Sequence, residues 1–131
     1  MAEEQQPVEL ILARGLVSNL VTPGFLVDEA GRLLFYNDAA GELLGVRFEE
    51  VGEMEPEEWG TRFEPVGLDG RPIPVEELPL SRALGGEPAH AEMRITSATG
   101  EMSEIEVTAL PIFGTGGQRG ALALFWSRGA T

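Results

Sequence analysis

Residues 25–45 carry the pattern that decides the fold, and they read Phe25-Leu-Val-Asp-Glu-Ala-Gly-Arg-Leu-Leu-Phe-Tyr-Asn-Asp-Ala-Ala-Gly-Glu-Leu-Leu-Gly45. The runs 24–28 and 33–36 are short and rich in aromatic and branched residues, which favour strands. Gly31 supplies the turn between them, so the sequence predicts a β-hairpin. Asn37 follows directly, where its side-chain oxygen can cap a short helix over 38–44 that Gly45 ends.

A longer helix is predicted before this stretch. Pro7 suits its first turn, and Thr22-Pro23-Gly24 stops it near Val21, because proline disfavours helical geometry in the residue before it. Its apolar residues are too many for a single stripe. One side carries Val8, Ile11, Leu12 and Leu16, and another carries Leu10, Val17 and Val21.

A helix with two apolar sides needs two surfaces to pack against. One surface is the chain's own sheet, and the other is a second protomer, so the sequence predicts a homodimer. The candidate dimer interface consists of Leu10, Ile11, Val17 and Val21.

The middle of the chain combines a polar segment with a predicted helix. Residues 47–58 are mostly acidic and are expected to form a polar surface segment, anchored to the core by Trp59. Pro72-Ile-Pro74 is expected to be extended and to lead into one helix from Val75 to Leu84.

The last third alternates polar and apolar residues, which predicts three strands near 89–97, 102–113 and 121–127 with one wet face and one buried face. In the second of these strands the alternation places Glu104 and Glu106 outward and Ile105 and Val107 inward.

This order of elements, together with residues 25–45, resembles the PAS family. The segment Gly70-Arg-Pro-Ile-Pro-Val-Glu-Glu-Leu-Pro-Leu-Ser-Arg-Ala-Leu-Gly-Gly86 is similar to the central helix region of many bacterial PAS sequences. The resemblance spans about residues 22–127. It implies an α+β fold with a five-stranded antiparallel sheet, helices on one face and an N-terminal flanking helix. The predicted organisation is a helix over 1–21, as the dimerisation candidate, and a PAS domain over 22–131.

The resemblance also implies a central pocket between the sheet and the helices. A pocket lined by apolar side chains with a few polar groups suits a small ligand, although a filled core is an equally good outcome of the same pattern. The candidate pocket residues are Phe25, Phe35, Asn37, Leu44, Trp59, Leu78, Leu84, Met93, Ile95, Val107, Leu122, Leu124 and Trp126.

The cofactors known in the family are constrained by residue types. The chain has no cysteine, which excludes the covalent flavin adduct of photosensory members. Haem needs an axial ligand, and His90 is the single histidine. Because a lone histidine on the polar side of a strand is usually a surface residue, haem is disfavoured. The cofactor therefore stays unknown at this stage, and no metal site is predicted.

The charge excludes some partners. With 22 acidic and 9 basic residues the net charge is -13, which repels nucleic acid and anionic membrane surfaces. No apolar run is long enough to span a bilayer, and the N-terminus does not resemble a signal peptide. A cytoplasmic location is the expectation.

These features together predict a sensory or regulatory module for signal transduction and not an enzyme. It would act through a small apolar ligand, a homodimer or a partner signalling protein. No output domain is expected after the last strand. The signal would therefore be transmitted by a change in protein–protein association or through the first helix. The alternatives are a haem or metabolite sensor, a GAF-like sensor, and a small α+β enzyme. Such an enzyme would need an inward-pointing carboxylate as its base, whereas the alternation places Glu104 and Glu106 outward.

Overall fold

The computed structural model describes residues 7–127. In this part of the chain five helices, one 3-10 turn and five strands form an α+β fold. The helices are α1 (Val8–Ser18), α2 (Asp38–Leu44), α3 (Phe48–Val51), α4 (Pro56–Arg62) and α5 (Pro79–Ala83), and the 3-10 turn is Val75–Glu77. The strands are β1 (Gly24–Asp28), β2 (Leu33–Tyr36), β3 (Ala89–Thr96), β4 (Met102–Gly114) and β5 (Gly117–Ser127).

The strands form one antiparallel sheet in the order β2-β1-β5-β4-β3. The first hairpin therefore meets the last strand, and Leu26 of β1 lies opposite Leu122 of β5. The predicted fold class is confirmed, with α2 to α5 against one face, called here the inner face, and α1 against the other, the outer face. The predicted first unit begins and the second ends outside the described residues, so their division at residue 21 stays a prediction.

The first hairpin and α2 form as the sequence predicts. The Asp28 Oδ1 accepts hydrogen bonds from the Ala30 and Arg32 amides, and Gly31 has a φ of 88°. The Asn37 Oδ1 accepts from the Ala40 amide at 3.0 Å, which caps α2. Gly45 ends the helix in the left-handed conformation. Both caps are confirmed.

The inner face carries the main hydrophobic core. Phe25 stacks on Tyr36 with ring centroids 5.2 Å apart and meets the Phe125 ring edge-on at 5.3 Å. Ile105 and Val107 are buried on this face, as the alternation in β4 predicts. Trp59 is also buried and donates from Nε1 to the Gly31 carbonyl at 2.7 Å, so its predicted role as an anchor is confirmed.

The outer face carries α1 on a small satellite cluster. Leu10 packs against Leu26 and Leu34. A Cβ on Gly120 would collide with the Val27 carbonyl and lie 3.1 Å from Leu10 Cδ2, so the close approach of α1 and β1 to β5 requires glycine there. The helix ends at Ser18 and not at Val21, because Ser18 and Asn19 donate side-chain bonds to the Gly15 carbonyl at its end.

Three predicted elements have different bounds. The segment expected to be a polar surface contains two helices that the prediction did not delimit, α3 and α4, whose first turns hold acidic residues that favour helix N-termini. The helix predicted over 75–84 is broken at Leu78, which is extended (φ -67°, ψ 149°) because Pro79 follows it. The last strand starts at Gly117, four residues before the prediction, since the turn at Thr115 and Gly116 is tight.

Candidate functional site

A small cavity lies between the inner face of the sheet and the segments around α4 and α5. Its volume is about 80 Å³. The sheet contributes Phe25, Met93, Ile95, Ile105, Val107, Ala123 and Phe125. The helical side contributes Leu44, Trp59, Phe63, Pro65, Leu78, Pro79 and Leu80.

The size and chemistry of the cavity restrict what it can hold. Drug-sized ligands occupy pockets of about 300–1,000 Å³, and a water molecule takes about 30 Å³ of liquid volume. Every lining side chain is apolar apart from the indole N–H of Trp59, which already donates to Gly31. The cavity therefore suits an apolar molecule of a few heavy atoms, because a polar or charged one would lose its hydrogen bonds to water without replacement.

The arrangement of sheet, helices and cavity matches many solved structures. The PAS domain of Bordetella pertussis BvgS is 20% identical with a TM-score of 0.60, and the match covers 91% of this chain and 84% of that one. A PAS domain from a two-component sensor histidine kinase is 15% identical with a TM-score of 0.61, over 92% and 97% of the two chains. The chain has a PAS fold.

The LOV protein of Rhodobacter sphaeroides is also similar, with a TM-score of 0.70 at 15% identity, over 94% of this chain and 69% of that one. No family model and no curated protein matches the sequence. At these identities the likeness establishes the fold alone.

Seven of the thirteen candidate pocket residues line the cavity of this PAS fold. They are Phe25, Leu44, Trp59, Leu78, Met93, Ile95 and Val107. Their part in binding a ligand remains a prediction. The lining also includes residues that were not among the candidates: Phe63, Pro65, Pro79, Leu80, Ile105, Ala123 and Phe125.

Leu122, Leu124 and Trp126 do not line the cavity, and their assignment to it is corrected. They lie on the outer face, whereas Ala121, Ala123 and Phe125 point inward. The cause is a register shift between Ile112 and Phe113 of β4: Phe113 lies opposite Gln118, but Ile112 lies opposite Gly120. The extra residue, Arg119, reverses the phase of the rest of β5, because side chains alternate with a period of two.

Phe35, Asn37 and Leu84 are also outside the cavity lining. Phe35 is half-buried at the edge strand and packs edge-on against Phe48, with the Arg14 guanidinium 4.5 Å from its ring centre. Leu84 packs at the margin of the main core. Asn37 is buried but turned toward the backbone of α1 and β1, because five main-chain groups take its hydrogen bonds.

Asn37 joins the two faces of the sheet. Its Oδ1 accepts from the Gly24 amide at 3.1 Å as well as from Ala40, and its Nδ2 donates to the Val17 and Thr22 carbonyls, each at 2.9 Å. One side chain therefore links the end of α1, the start of β1 and the N-terminus of α2. The sequence indicates its cap on α2 but carries no sign of the bonds to α1.

Tyr36 is a buried ionisable group beside the cavity lining. Its hydroxyl donates to the Val46 carbonyl at 2.6 Å. The pKa of Tyr36 is raised to about 12, mainly by burial, with Arg62 acting to lower it and Glu50 and Glu49 acting to raise it. The hydroxyl is thus neutral at physiological pH and acts as a hydrogen-bond donor.

The candidate haem ligand and the candidate carboxylate bases lie on the outer face. His90 Nδ1 is 2.8 Å from the Thr108 hydroxyl, and its Nε2 is 3.5 Å from Glu106. Glu104 accepts a hydrogen bond from Arg94 at 3.1 Å. The sheet separates these three residues from the cavity, so the outward phase predicted for both glutamates is confirmed.

The candidate dimer residues divide between two environments. Leu10 and Val17 are 2% and 0% exposed and pack inside the protomer, so their assignment to a dimer interface is corrected. The outward side of α1 is formed instead by Val8, Ile11, Leu12 and Leu16, and Val21 is exposed just beyond the helix. The sequence shows two apolar sides, but it does not say which one the sheet covers.

Among residues 7–127, no helix has the length and apolar character needed to cross a membrane. Within the same range, His, Asp and Glu side chains do not gather in groups of three that would suit a metal ion.

Proposed function

We propose that this PAS domain is a sensory or regulatory module that carries no catalysis and signals by homodimerisation through α1 and the adjoining outer face. The observation that carries the proposal is the outward side of α1. Val8, Ile11, Leu12 and Leu16 are between 57% and 69% exposed, although burying a leucine contributes about 1.5–3 kcal/mol. Such an apolar side is expected where another protein covers it.

The outer face of the sheet extends this apolar surface. Leu110 and Trp126 are exposed there, and Leu122 lies opposite Leu110. A Cβ on Gly24 would lie 3.1 Å from Val17 and 3.4 Å from Leu124, which places α1 directly beside these strand residues. A partner can therefore contact the helix and the sheet together.

The distribution of charge supports a second copy of the same chain as the partner. Residues 28–88, which contain α2 to α5, hold 15 acidic and 5 basic residues. The other described segments, 7–27 and 89–127, hold 5 acidic and 3 basic residues. Two copies that meet through α1 keep their acidic sides apart, so like-charge repulsion is small.

Sedimentation equilibrium tests this proposal with the double substitution Leu12→Glu and Leu16→Glu. Four charges would enter the symmetric interface, so dimer affinity should fall at least about 100-fold. Met102→Glu is the matched control, because Met102 is 66% exposed and lies at the far end of β4. A wild-type chain that is monomeric at tens of micromolar, or a double variant that still dimerises, would contradict the proposal.

A second proposed role is the reception of a small apolar molecule. The observation that favours it is the cavity of about 80 Å³ with its apolar lining. Similar structures include a PAS domain from a sensor histidine kinase, which agrees with a role in signalling to a partner protein. The placement of Glu104 and Glu106 on the outer face leaves the small-enzyme alternative without its candidate base in the cavity.

A further inference from the structure

The outward side of α1 contains a glycine among its exposed apolar residues. Gly15 follows Ile11 by four residues and Leu12 by three, so the three share one side of the helix, and all are exposed. Gly15 stands four residues before the C-cap, Asn19, so it is not the glycine that commonly ends a helix. Within a helix, glycine is less favourable than every residue except proline. Gly15 therefore weakens α1 in the isolated protomer.

The described part of the protomer gives no reason for a glycine at this position. Among the glycines of residues 7–127, Gly15 alone has neither a φ in the left-handed region nor, beyond its chain neighbours and the helix backbone, an atom within 4 Å of the place its Cβ would take. A Cβ on Gly120, by contrast, would collide with the Val27 carbonyl. Glycine also serves where another backbone approaches closely. At Gly15 that backbone has to come from outside the protomer.

The backbone at Gly15 can be covered without losing a hydrogen bond. Its carbonyl accepts from the Ser18 hydroxyl at 2.8 Å and from Asn19 Nδ2 at 3.1 Å, while the Asn19 amide donates to the Leu16 carbonyl. Burying an acceptor that has no partner would oppose association. Because its own helix supplies both donors, the Gly15 carbonyl stays hydrogen-bonded when water is excluded from it.

We propose that Gly15 is the point at which α1 crosses the α1 of a second copy of this chain, with the two helix backbones in contact. The inference rests on the proposed homodimer and adds the position of its two-fold axis. In an isologous interface a residue beside the axis meets the same residue of the other copy. Helix axes lie about 8–10 Å apart, depending on the side chains at the contact, and glycine allows the shortest of these distances. Ile11, Leu12 and Leu16 flank the crossing.

Sedimentation equilibrium of Gly15→Ala and Gly15→Leu tests the crossing. A side chain on each helix forces the axes apart, so dimer affinity should fall about tenfold in Gly15→Ala and about 100-fold in Gly15→Leu. If a partner covered α1 without close contact at Gly15, the added leucine surface would instead strengthen association.

Gly41→Ala is the matched control for the affinity measurement. Gly41 is a glycine of α2, and its Cβ would lie at ordinary contact distances, 3.4 Å or more from its neighbours. Because α2 packs against the inner face, this methyl group should leave the dimer affinity unchanged.

Hydrogen exchange distinguishes the crossing from a defect in α1 itself. In the Leu12→Glu, Leu16→Glu background, where the interface is disrupted, Gly15→Ala should slow exchange of the α1 amides about threefold, because alanine favours the helix. One substitution is thus expected to weaken the dimer and to strengthen the helix. Unchanged or faster exchange would show that the glycine does not weaken α1 in the protomer, and would overturn the proposal.

The outcomes separate this inference from the proposed homodimer. A dimeric wild type whose affinity is unchanged or increased by Gly15→Ala and Gly15→Leu would overturn the crossing and leave the homodimer. A wild type that is monomeric at tens of micromolar would overturn the homodimer, and the crossing with it.

Discussion

The two faces of the sheet carry hydrophobic clusters of very different size. In the part of the chain that the structure describes, the inner cluster contains twenty buried residues and the outer one contains Leu10, Leu26 and Leu34. The inner cluster therefore determines whether the domain folds, whereas the outer cluster determines whether one helix stays in place. Because the inner cluster stabilises the domain without α1, the outward side of α1 can remain apolar.

The most damaging single change is expected where the two faces are joined. Asn37→Ala removes the cap on α2, takes one of the bonds from the Val17 carbonyl, and removes the side-chain partner of the buried Gly24 amide and of the Thr22 carbonyl. We expect the free energy of unfolding to fall by about 4 kcal/mol, measured by urea denaturation.

Two controls accompany Asn37→Ala. Asn37→Asp keeps the acceptor and loses the donor, so its cost should be intermediate. Asn19→Ala removes one exposed hydrogen bond and should cost less than about 0.5 kcal/mol. Equal costs at positions 19 and 37 would show that Asn37 does not connect the two faces.

A matched pair of leucines tests the comparison directly. Leu44 and Leu10 are each 2% exposed, one in the inner cluster and one in the outer. Leu44→Ala should cost about 3 kcal/mol in unfolding free energy. Leu10→Ala should cost about 1–2 kcal/mol, because α1 detaches before the domain unfolds and so limits the loss. Hydrogen exchange of the α1 amides should rise in Leu10→Ala alone.

The opposite result has a clear meaning. If both leucine variants lose the same free energy and their α1 amides exchange at the rate of global unfolding, the clusters form one cooperative unit. The division of tasks between the faces would then be wrong.

The smallest expected effect concerns the exclusion of water from the Tyr36 hydroxyl on the inner face. Tyr36 is the only tyrosine, and its pKa rises from 10 to about 12 through burial. Because the folded pKa is the higher one, Tyr36 stabilises the fold fully below pH 10, and this contribution is lost as the pH rises through 12. Absorbance at 295 nm should show a midpoint near 12 for the folded chain and near 10 in urea. A folded midpoint near 10 would mean that water reaches the hydroxyl.

Much of the fold is predictable from the sequence where local chemistry acts alone. The hairpin of β1 and β2, the Asn37 and Gly45 caps and the phase of β4 follow from turn residues and polar alternation. The phase of β5 does not follow, because Ala121 to Trp126 are apolar on both sides and the register is changed by the extra residue Arg119. Where both sides of a strand are apolar, the sequence does not show which side faces the core.

The cavity shows the same limit. Phe63 and Pro65 follow a charged segment, and only the bonds of residues 63–66 to β3 bring them against the sheet. Pro79 is visible in the sequence as a helix breaker, yet the position of Leu80 in the cavity depends on the break at Leu78. Which side of α1 is buried likewise depends on which of its two apolar sides packs against Leu26 and Leu34.

The position of β1 between β2 and β5 has a consequence for the order of folding. The pairs β1–β2, β3–β4 and β4–β5 are neighbours in the chain, and each requires only a short loop to close. The pairing of Leu26 with Leu122 instead closes a loop of nearly the whole domain. Loop closure over such a distance costs more entropy than any hairpin and slows folding. We expect this pairing to form last. During synthesis the β1 edge of the first hairpin therefore stays unpaired until the final strand has been made.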